Sequence, residues 1–276
     1  MVGFFALGTY AASKKSRNVI ARGSYANSHL QFEKNKTGRV AFMGGSITQM
    51  NGYRPMVADW LTKRFPKTKF EFVNAGISST CSTTGAFRLK SQVLDKGQID
   101  LFFIEFAVND DQDARHASRE CIRGMEGIIA QARAAQPNMD IVVTHFVNPG
   151  MLELLRAGKT PLSMAAHEKV LKAYNVSTIF LAREVADRID AGKLTWQVFG
   201  GTHPKPAGNA IAAEMIEDLL TSAWDRPVTT KAEAHRLPSA SVDKGSYFNG
   251  HFVSPANSAN DAWTWHVPDW KQIPGG

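Results

Sequence analysis

Cysteine is nearly missing from this sequence, which contains only Cys81 and Cys121 in 276 residues. Two thiols are too few for a disulfide framework or a thiolate metal site. One bridge between them is compatible with the count, but we favour two free buried thiols. Long hydrophobic runs are missing too, since no apolar stretch approaches the ~20 residues that a membrane-spanning helix needs. The sequence therefore predicts no membrane span.

Positive charge is in excess, with a formal net charge of +7 and an isoelectric point near 9.4. The lysines and arginines are scattered, however, and no basic stripe is interleaved with aromatic residues. A nucleic-acid-binding surface is therefore not expected. The histidines lack the spacing of metal ligands, so no metal site is expected. The apolar N-terminal stretch 1–12 lacks the positively charged segment of a signal peptide and does not fix the compartment.

Short apolar runs alternate with segments of helical periodicity through most of the chain. Hydrophobic residues make up 43% of the sequence, which is ample for one large domain. The alternation predicts an α/β fold, a three-layer sandwich with a central parallel sheet of about five strands. The predicted strands are 40–43, 69–73, 101–106, 141–146 and 176–181.

The composition of the two ends differs from that of the middle. We expect residues 1–38 to form an N-terminal arm that packs on the domain, and residues 39–224 to form the domain itself. Residues 225–276 are predicted to be an irregular tail, rich in aromatic residues such as Trp263, Trp265 and Trp270. This tail leads us to expect a further module beyond it.

Polar residues follow three of the predicted strands at the point where each strand ends. Ser46 follows the first, Gly76 ends the N-A-G that follows the second, and Asn109 follows the third. Parallel strands bring these ends to one edge of the sheet, where ligands bind in such folds. His203 lies in the loop before the last helix, which can return to the same edge. The residue types are those of a serine nucleophile, a histidine base and an oxyanion hole.

The four motifs G-G-S-I-T, N-A-G, A-V-N-D and G-T-H-P resemble, in order, those of the SGNH (GDSL-type) hydrolase superfamily. The resemblance spans 39–224 and implies a flavodoxin-like fold. It implies that Ser46 is the nucleophile and His203 the base. It also implies that Gly76 and Asn109 donate hydrogen bonds to the oxyanion, together with the Ser46 amide.

The chain departs from the pattern of the superfamily at the acid that usually orients the histidine. The motif is usually D-x-x-H, but Gly200 stands where the acid is expected. We therefore expect His203 to work in a dyad, held by a backbone carbonyl or Gln197, or to take an acid from another loop. The candidates for that acid are Asp110, Asp111 and Asp113.

The resemblance is closest to carbohydrate O-acetyl esterases, so we expect a serine ester hydrolase that needs no cofactor and acts on an acetylated carbohydrate or another small ester. Arg88 and Trp196 are expected to contact the substrate. A polysaccharide substrate would favour a secreted or periplasmic protein. Two alternatives remain open: a lipase- or thioesterase-like hydrolase of longer acyl chains, and a non-catalytic carbohydrate-binding or scaffold relative.

Overall fold

The computed structural model describes residues 17–253, so the tail tryptophans named above lie outside the described residues. Within that range a six-stranded sheet has the order β1-β6-β5-β4-β2-β3. Strands β2 to β6 are parallel to one another, and β1 is antiparallel to β6. The strands are β1 Val19–Ile20, β2 Thr37–Gly44, β3 Lys69–Gly76, β4 Leu101–Glu105, β5 Asp140–Thr144 and β6 Ser177–Ile179.

Eleven α-helices surround the sheet in the described part of the chain. They are α1 Ala26–Leu30, α2 Ser46–Gln49, α3 Tyr53–Arg64, α4 Ser82–Gln92, α5 Ala107–Gln112, α6 Ser118–Ala135, α7 Pro149–Arg156, α8 Leu162–Ala173, α9 Leu181–Asp190, α10 Trp196–Phe199 and α11 Pro206–Ala223. A π-helix, Gln31–Asn35, continues α1, and a 3-10 turn, Leu94–Lys96, follows α4. None of the helices in 17–253 combines the length and the apolar character needed to cross a membrane.

The α/β fold with a central parallel sheet is confirmed, and all five predicted strands are present. The additional strand is β1, which comes from the predicted N-terminal arm. It has only two residues, too few to produce an alternating pattern in the sequence.

Alternating side chains of the strands explain why helices cover both faces of the sheet. In β2, Val40 and Phe42 are buried on the face covered by α3, α7, α9 and α11. Ala41 and Met43 are buried on the opposite face, where α4 and α6 pack. Successive residues of a strand point to opposite faces, so a strand apolar at every position requires cover on both sides.

The register of the sheet brings the ends of three strands level with one another. Gly44, the last residue of β2, pairs with Gly76 of β3 on one side and with Glu105 of β4 on the other. The loops that leave these strands therefore start from one short stretch of the carboxyl edge.

The described part of the tail, 225–253, runs without helix or strand across α4 and α6. The ring of Tyr247 lies 5.3 Å from that of Phe87 on α4. Glu126 on α6 accepts hydrogen bonds from the main-chain N–H groups of Val242 and Asp243.

Trp224 closes the aromatic core at the end of α11, and we expect Trp224→Ala to lower the free energy of unfolding by about 3–5 kcal/mol. Its ring is 3% exposed, lies 5.2 Å from Phe65 and 5.8 Å from Phe32, and donates a hydrogen bond to the Tyr25 carbonyl. Urea denaturation measures the change. Trp224→Phe keeps most of the ring contact and should lose less. Equal losses for both variants, or a loss below about 1 kcal/mol for alanine, would contradict this packing role.

Candidate active site

Ser46 and His203 meet at the carboxyl edge although they lie 157 residues apart in the sequence. Ser46 is the first residue of α2, directly after β2 and the Gly45 turn. His203 lies in the loop between α10 and α11. The Ser46 Oγ and His203 Nε2 atoms are 2.7 Å apart, which is hydrogen-bond distance. A serine hydroxyl in this contact can give its proton to the imidazole.

Asn109 lies beside the turn Gly44–Ser46, here called the nucleophile turn after the predicted role of Ser46, because Gly45 has no side chain. A Cβ on Gly45 would overlap Asn109 Oδ1. The Asn109 side chain is 2% exposed, and its Nδ2 donates one hydrogen to Asp113 Oδ2 at 2.6 Å. Because an amide nitrogen carries two hydrogens, a second one stays available for an oxyanion.

Gly76 ends β3 next to the nucleophile turn. A Cβ at this position would overlap Gln49 at the end of α2, so the close approach of the two segments requires glycine. The Gly76 N–H donates to Asn74 Oδ1 at 3.0 Å in the free protein. A substrate oxygen would therefore have to share or replace this contact. The Ser46 amide, at the first helical position, has no acceptor within its helix.

The loop that carries His203 leaves no room for an acid at position 200. Gly200 has a φ of +111°, which disfavours other residues, and a Cβ there would overlap the Lys205 backbone nitrogen. In 17–253 the His203 ring forms a hydrogen bond only to Ser46, and neither Gln197 nor a backbone carbonyl bonds to it. The loop itself is held by Asn209, which donates to the Pro204 carbonyl at 2.6 Å.

The three aspartates considered as orienting acids are bonded to other groups. Asp110 accepts from the backbone and hydroxyl of Ser82 and from His167. Burial alone would raise the pKa of Asp110, but hydrogen bonds from His116 and His167 outweigh it and hold that pKa below its ordinary value. Asp111 accepts from Asn148, and Asp113 from Asn109 and Gln112.

The described residues contain one group of side chains that could hold a metal ion. The spacing of these residues along the sequence does not indicate it. The ligand atoms of Cys81, Asp110 and His116 lie within 4.8 Å of one another. Asp110 already accepts hydrogen bonds from neighbouring side chains, so its position is explained without an ion. Both cysteines are free thiols, with Cys121 buried and Cys81 partly so.

Arg88, predicted to contact the substrate, lies on α4 beneath the nucleophile turn and is buried. Its side chain is 2% exposed, and its guanidinium donates to the carbonyls of Gly44 and Ala75. Trp196 is half-buried, with its ring 5.4 Å from that of Phe199. A substrate contact by Trp196 stays a prediction.

Glu105 is the residue that sequence analysis missed. It ends β4, the most continuous apolar strand, and is 1% exposed. Its Oε1 accepts from the Gly45 N–H at 2.9 Å and from Thr48 Oγ1 at 2.9 Å. Burial raises the pKa of Glu105 to about 7. The available signal was the single carboxylate residue at the end of an apolar run. A charged side chain is rarely buried without a partner, so this position indicates a specific contact.

Comparison with known proteins gives a family and a fold. The sequence profile of the GDSL-like lipase/acylhydrolase family matches residues 42–211. A solved two-domain esterase (CEX) active on acetylated mannans is 25% identical, with a TM-score of 0.69 over 84% of this chain. The match covers 62% of that esterase, less than two thirds of its length.

Axe2, an acetylxylan esterase from Geobacillus stearothermophilus, shares the fold. It is 16% identical with a TM-score of 0.53, over 70% of this chain and 97% of its own. Among curated proteins no sequence matches this chain.

The Ser46–His203 contact predicts that an organophosphonate probe modifies Ser46. His203→Ala should slow the labelling by about 10²-fold or more, since a general base contributes about that much. Intact-mass and peptide mass spectrometry measure the rate and the site. His235→Ala, at the amino end of β5 where it contacts Asp140, is the matched control and should label at the wild-type rate. Labelling of another residue, or undiminished labelling of His203→Ala, would contradict the assignment.

Proposed function

Because the chain belongs to the GDSL-like lipase/acylhydrolase family, we propose that it is a serine ester hydrolase that removes acetyl groups from a carbohydrate. The observation that carries this proposal is the 2.7 Å contact between Ser46 Oγ and His203 Nε2 at the carboxyl edge of a parallel sheet. The family supports hydrolysis of a carboxylic ester, and the contact supplies a nucleophile with its base.

The reaction follows from the groups at this edge. His203 Nε2 takes the Ser46 hydroxyl proton while Ser46 Oγ bonds to the ester carbonyl carbon, whose oxygen becomes negative. The amides of Ser46 and Gly76 and the free Asn109 N–H stabilise that oxyanion. The carbon–alkoxy bond then breaks, and the imidazolium of His203 protonates the departing alcohol. Water, deprotonated by His203, then attacks the acyl-Ser46 ester; the bond to Ser46 Oγ breaks, the imidazolium returns the proton to that oxygen, and the acid is released.

The carbohydrate part of the proposal is supported by the two-domain esterase. That protein is active on acetylated mannans and is 25% identical to this chain in a match that covers 84% of this chain. An acetylated polysaccharide of the mannan type is therefore the substrate that we propose to test first.

A second candidate is a hydrolase of longer acyl chains, and one observation favours it. Met50 directly follows α2 and is 41% exposed, while Ile77 directly follows Gly76 and is 38% exposed. Two apolar side chains next to the nucleophile turn provide contact area for an acyl chain. The two candidates differ in the preferred acyl length.

Ser46→Ala should abolish hydrolysis of p-nitrophenyl acetate without loss of fold, because the alanine has no oxygen to attack the ester. Circular dichroism and thermal melting check the fold. The wild-type kcat/KM should be highest for the acetyl ester and fall for butyryl and octanoyl esters, and acetylated mannan should release acetate. Activity retained by Ser46→Ala would refute the mechanism. An octanoyl preference would favour the second candidate, and absence of both activity and probe labelling would favour a non-catalytic protein.

A further inference from the structure

Arg88 joins the ends of two neighbouring strands beneath the candidate active site. It lies on α4, and its side chain is 2% exposed. Its Nη2 donates to the Gly44 carbonyl at 2.8 Å, and its Nη1 donates to the Ala75 carbonyl at 2.5 Å. Gly44 ends β2 and Ala75 is the penultimate residue of β3, so one guanidinium spans both strands.

The Ala75 carbonyl belongs to the same peptide group as the Gly76 N–H. A peptide group is planar and its C=O and N–H point in opposite directions. Fixing the carbonyl oxygen with Arg88 therefore also fixes the direction of the N–H. This N–H donates to Asn74 Oδ1 in the free protein. In the proposed reaction an oxyanion shares or replaces that contact, and the contribution of the donor depends on its direction.

The Gly44 carbonyl is likewise part of a peptide group that is held at both ends. Its oxygen accepts from Arg88 and from the Ile77 N–H, while its other end, the Gly45 N–H, donates to Glu105. Gly45 directly precedes Ser46. The same side chain thus binds the peptide before the nucleophile and the peptide that carries an oxyanion donor.

The charge of Arg88 is matched by Glu105 across the turn. Burial lowers the pKa of Arg88 to about 10, and the attraction of Glu105 opposes that shift. The pair has no direct hydrogen bond among the described contacts, so the two charges interact through space while each binds its own backbone group. An arginine in an exposed salt bridge would not bind two strand-end carbonyls in this way.

We propose that Arg88 is a positioning residue, whose two-pronged contact with the Gly44 and Ala75 carbonyls aims the Gly76 N–H at the oxyanion formed on the Ser46 turn. The inference rests on the proposed esterase function. It concerns the transition state, because the oxyanion forms there, and the buried Arg88 side chain acts on it through the backbone.

The variants Arg88→Met and Arg88→Lys test this role. Methionine fills much of the space but donates no hydrogen bond, so kcat for p-nitrophenyl acetate should fall by about 10²-fold, the lower range for loss of an oxyanion donor. KM should stay within about twofold, because ground-state contacts are unchanged. Lysine keeps the charge but lacks the planar fork. We therefore expect its kcat to stay about tenfold or more below the wild type.

Arg133→Met is the matched control. Arg133 is also buried, at 4% exposure, and burial lowers its pKa to about 10, but its charge partner is Asp140 at the amino end of β5. The loss of either buried arginine should lower the melting temperature. Only the Arg88 variants should lower kcat, which separates positioning from a general loss of stability.

A wild-type kcat in Arg88→Lys or Arg88→Met would overturn the inference. A rise in KM with kcat unchanged would overturn it too. A fall in kcat equal to that of Arg133→Met would overturn it as well. If Arg88→Met does not fold, Arg88→Lys decides. An inactive wild type, or an active Ser46→Ala, would refute the proposed function and this inference with it. An active wild type with an inactive Ser46→Ala and unimpaired Arg88 variants would refute the inference alone.

Discussion

The structure of the candidate site depends on Gly44 and Gly45, which have no side chains. Two side chains from elsewhere in the fold can therefore approach the backbone of these residues closely. A Cβ on Gly44 would overlap Glu105 Oε1, and a Cβ on Gly45 would overlap Asn109 Oδ1. The paired glycines therefore do more than permit a turn. They let a carboxylate and a carboxamide from the neighbouring strand end reach the main chain directly before Ser46. Any side chain at either position would push β4 and the nucleophile turn apart.

Two buried carboxylates close in sequence, Glu105 and Asp110, have pKa values shifted in opposite directions. Burial raises the pKa of Glu105 from 4.5 to about 7, so its contribution to stability falls as the pH rises through that interval. Asp110 has a pKa below its ordinary value, because hydrogen bonds to its ionised form outweigh burial. Its contribution is present above the unfolded pKa and is lost as the pH falls through the folded pKa. Glu105 therefore contributes most to the free energy of unfolding at low pH, whereas Asp110 loses its contribution in acid.

Sequence reasoning could predict the parts of this molecule that depend on local pattern. The apolar runs identify β2 to β6, and their parallel order brings Ser46 and Asn109 to one edge. The contact between Glu105 and Gly45 could not be predicted, because 60 residues separate them and only the register of β2 with β4 joins them. Strand β1 was missed because two residues contain no period.

Arg88 shows that the position of a residue on a helix does not give the direction of its side chain. Helical periodicity follows the second predicted strand, and the structure has Arg88 on the helix there, α4. What the sequence lacks is the direction of the side chain, since an arginine on α4 can face solvent, cleft or sheet. The carbonyls of Gly44 and Ala75 at the ends of β2 and β3 decide it, because each has a lone pair that the buried guanidinium can bind, the Gly44 oxygen in addition to its bond from the Ile77 N–H. This information lies in the sheet and not in the helix.

In the loop of His203, the contact that holds the residue in place is made to the backbone and not to the side chain. An aspartate at position 200 would act on the imidazole ring, but the left-handed backbone of Gly200 and the nearby Lys205 nitrogen exclude it. Asn209 acts instead on the main chain, by donating to the Pro204 carbonyl while its oxygen accepts from the Tyr53 N–H. This ties the loop of His203 to the first residue of α3, the second helix after the nucleophile turn. The Asn209 carboxamide thus bridges two segments of backbone and sets the position of His203 relative to Ser46. When Nε2 of the imidazole accepts the Ser46 hydroxyl proton in a hydrogen bond, the ring proton lies on Nδ1.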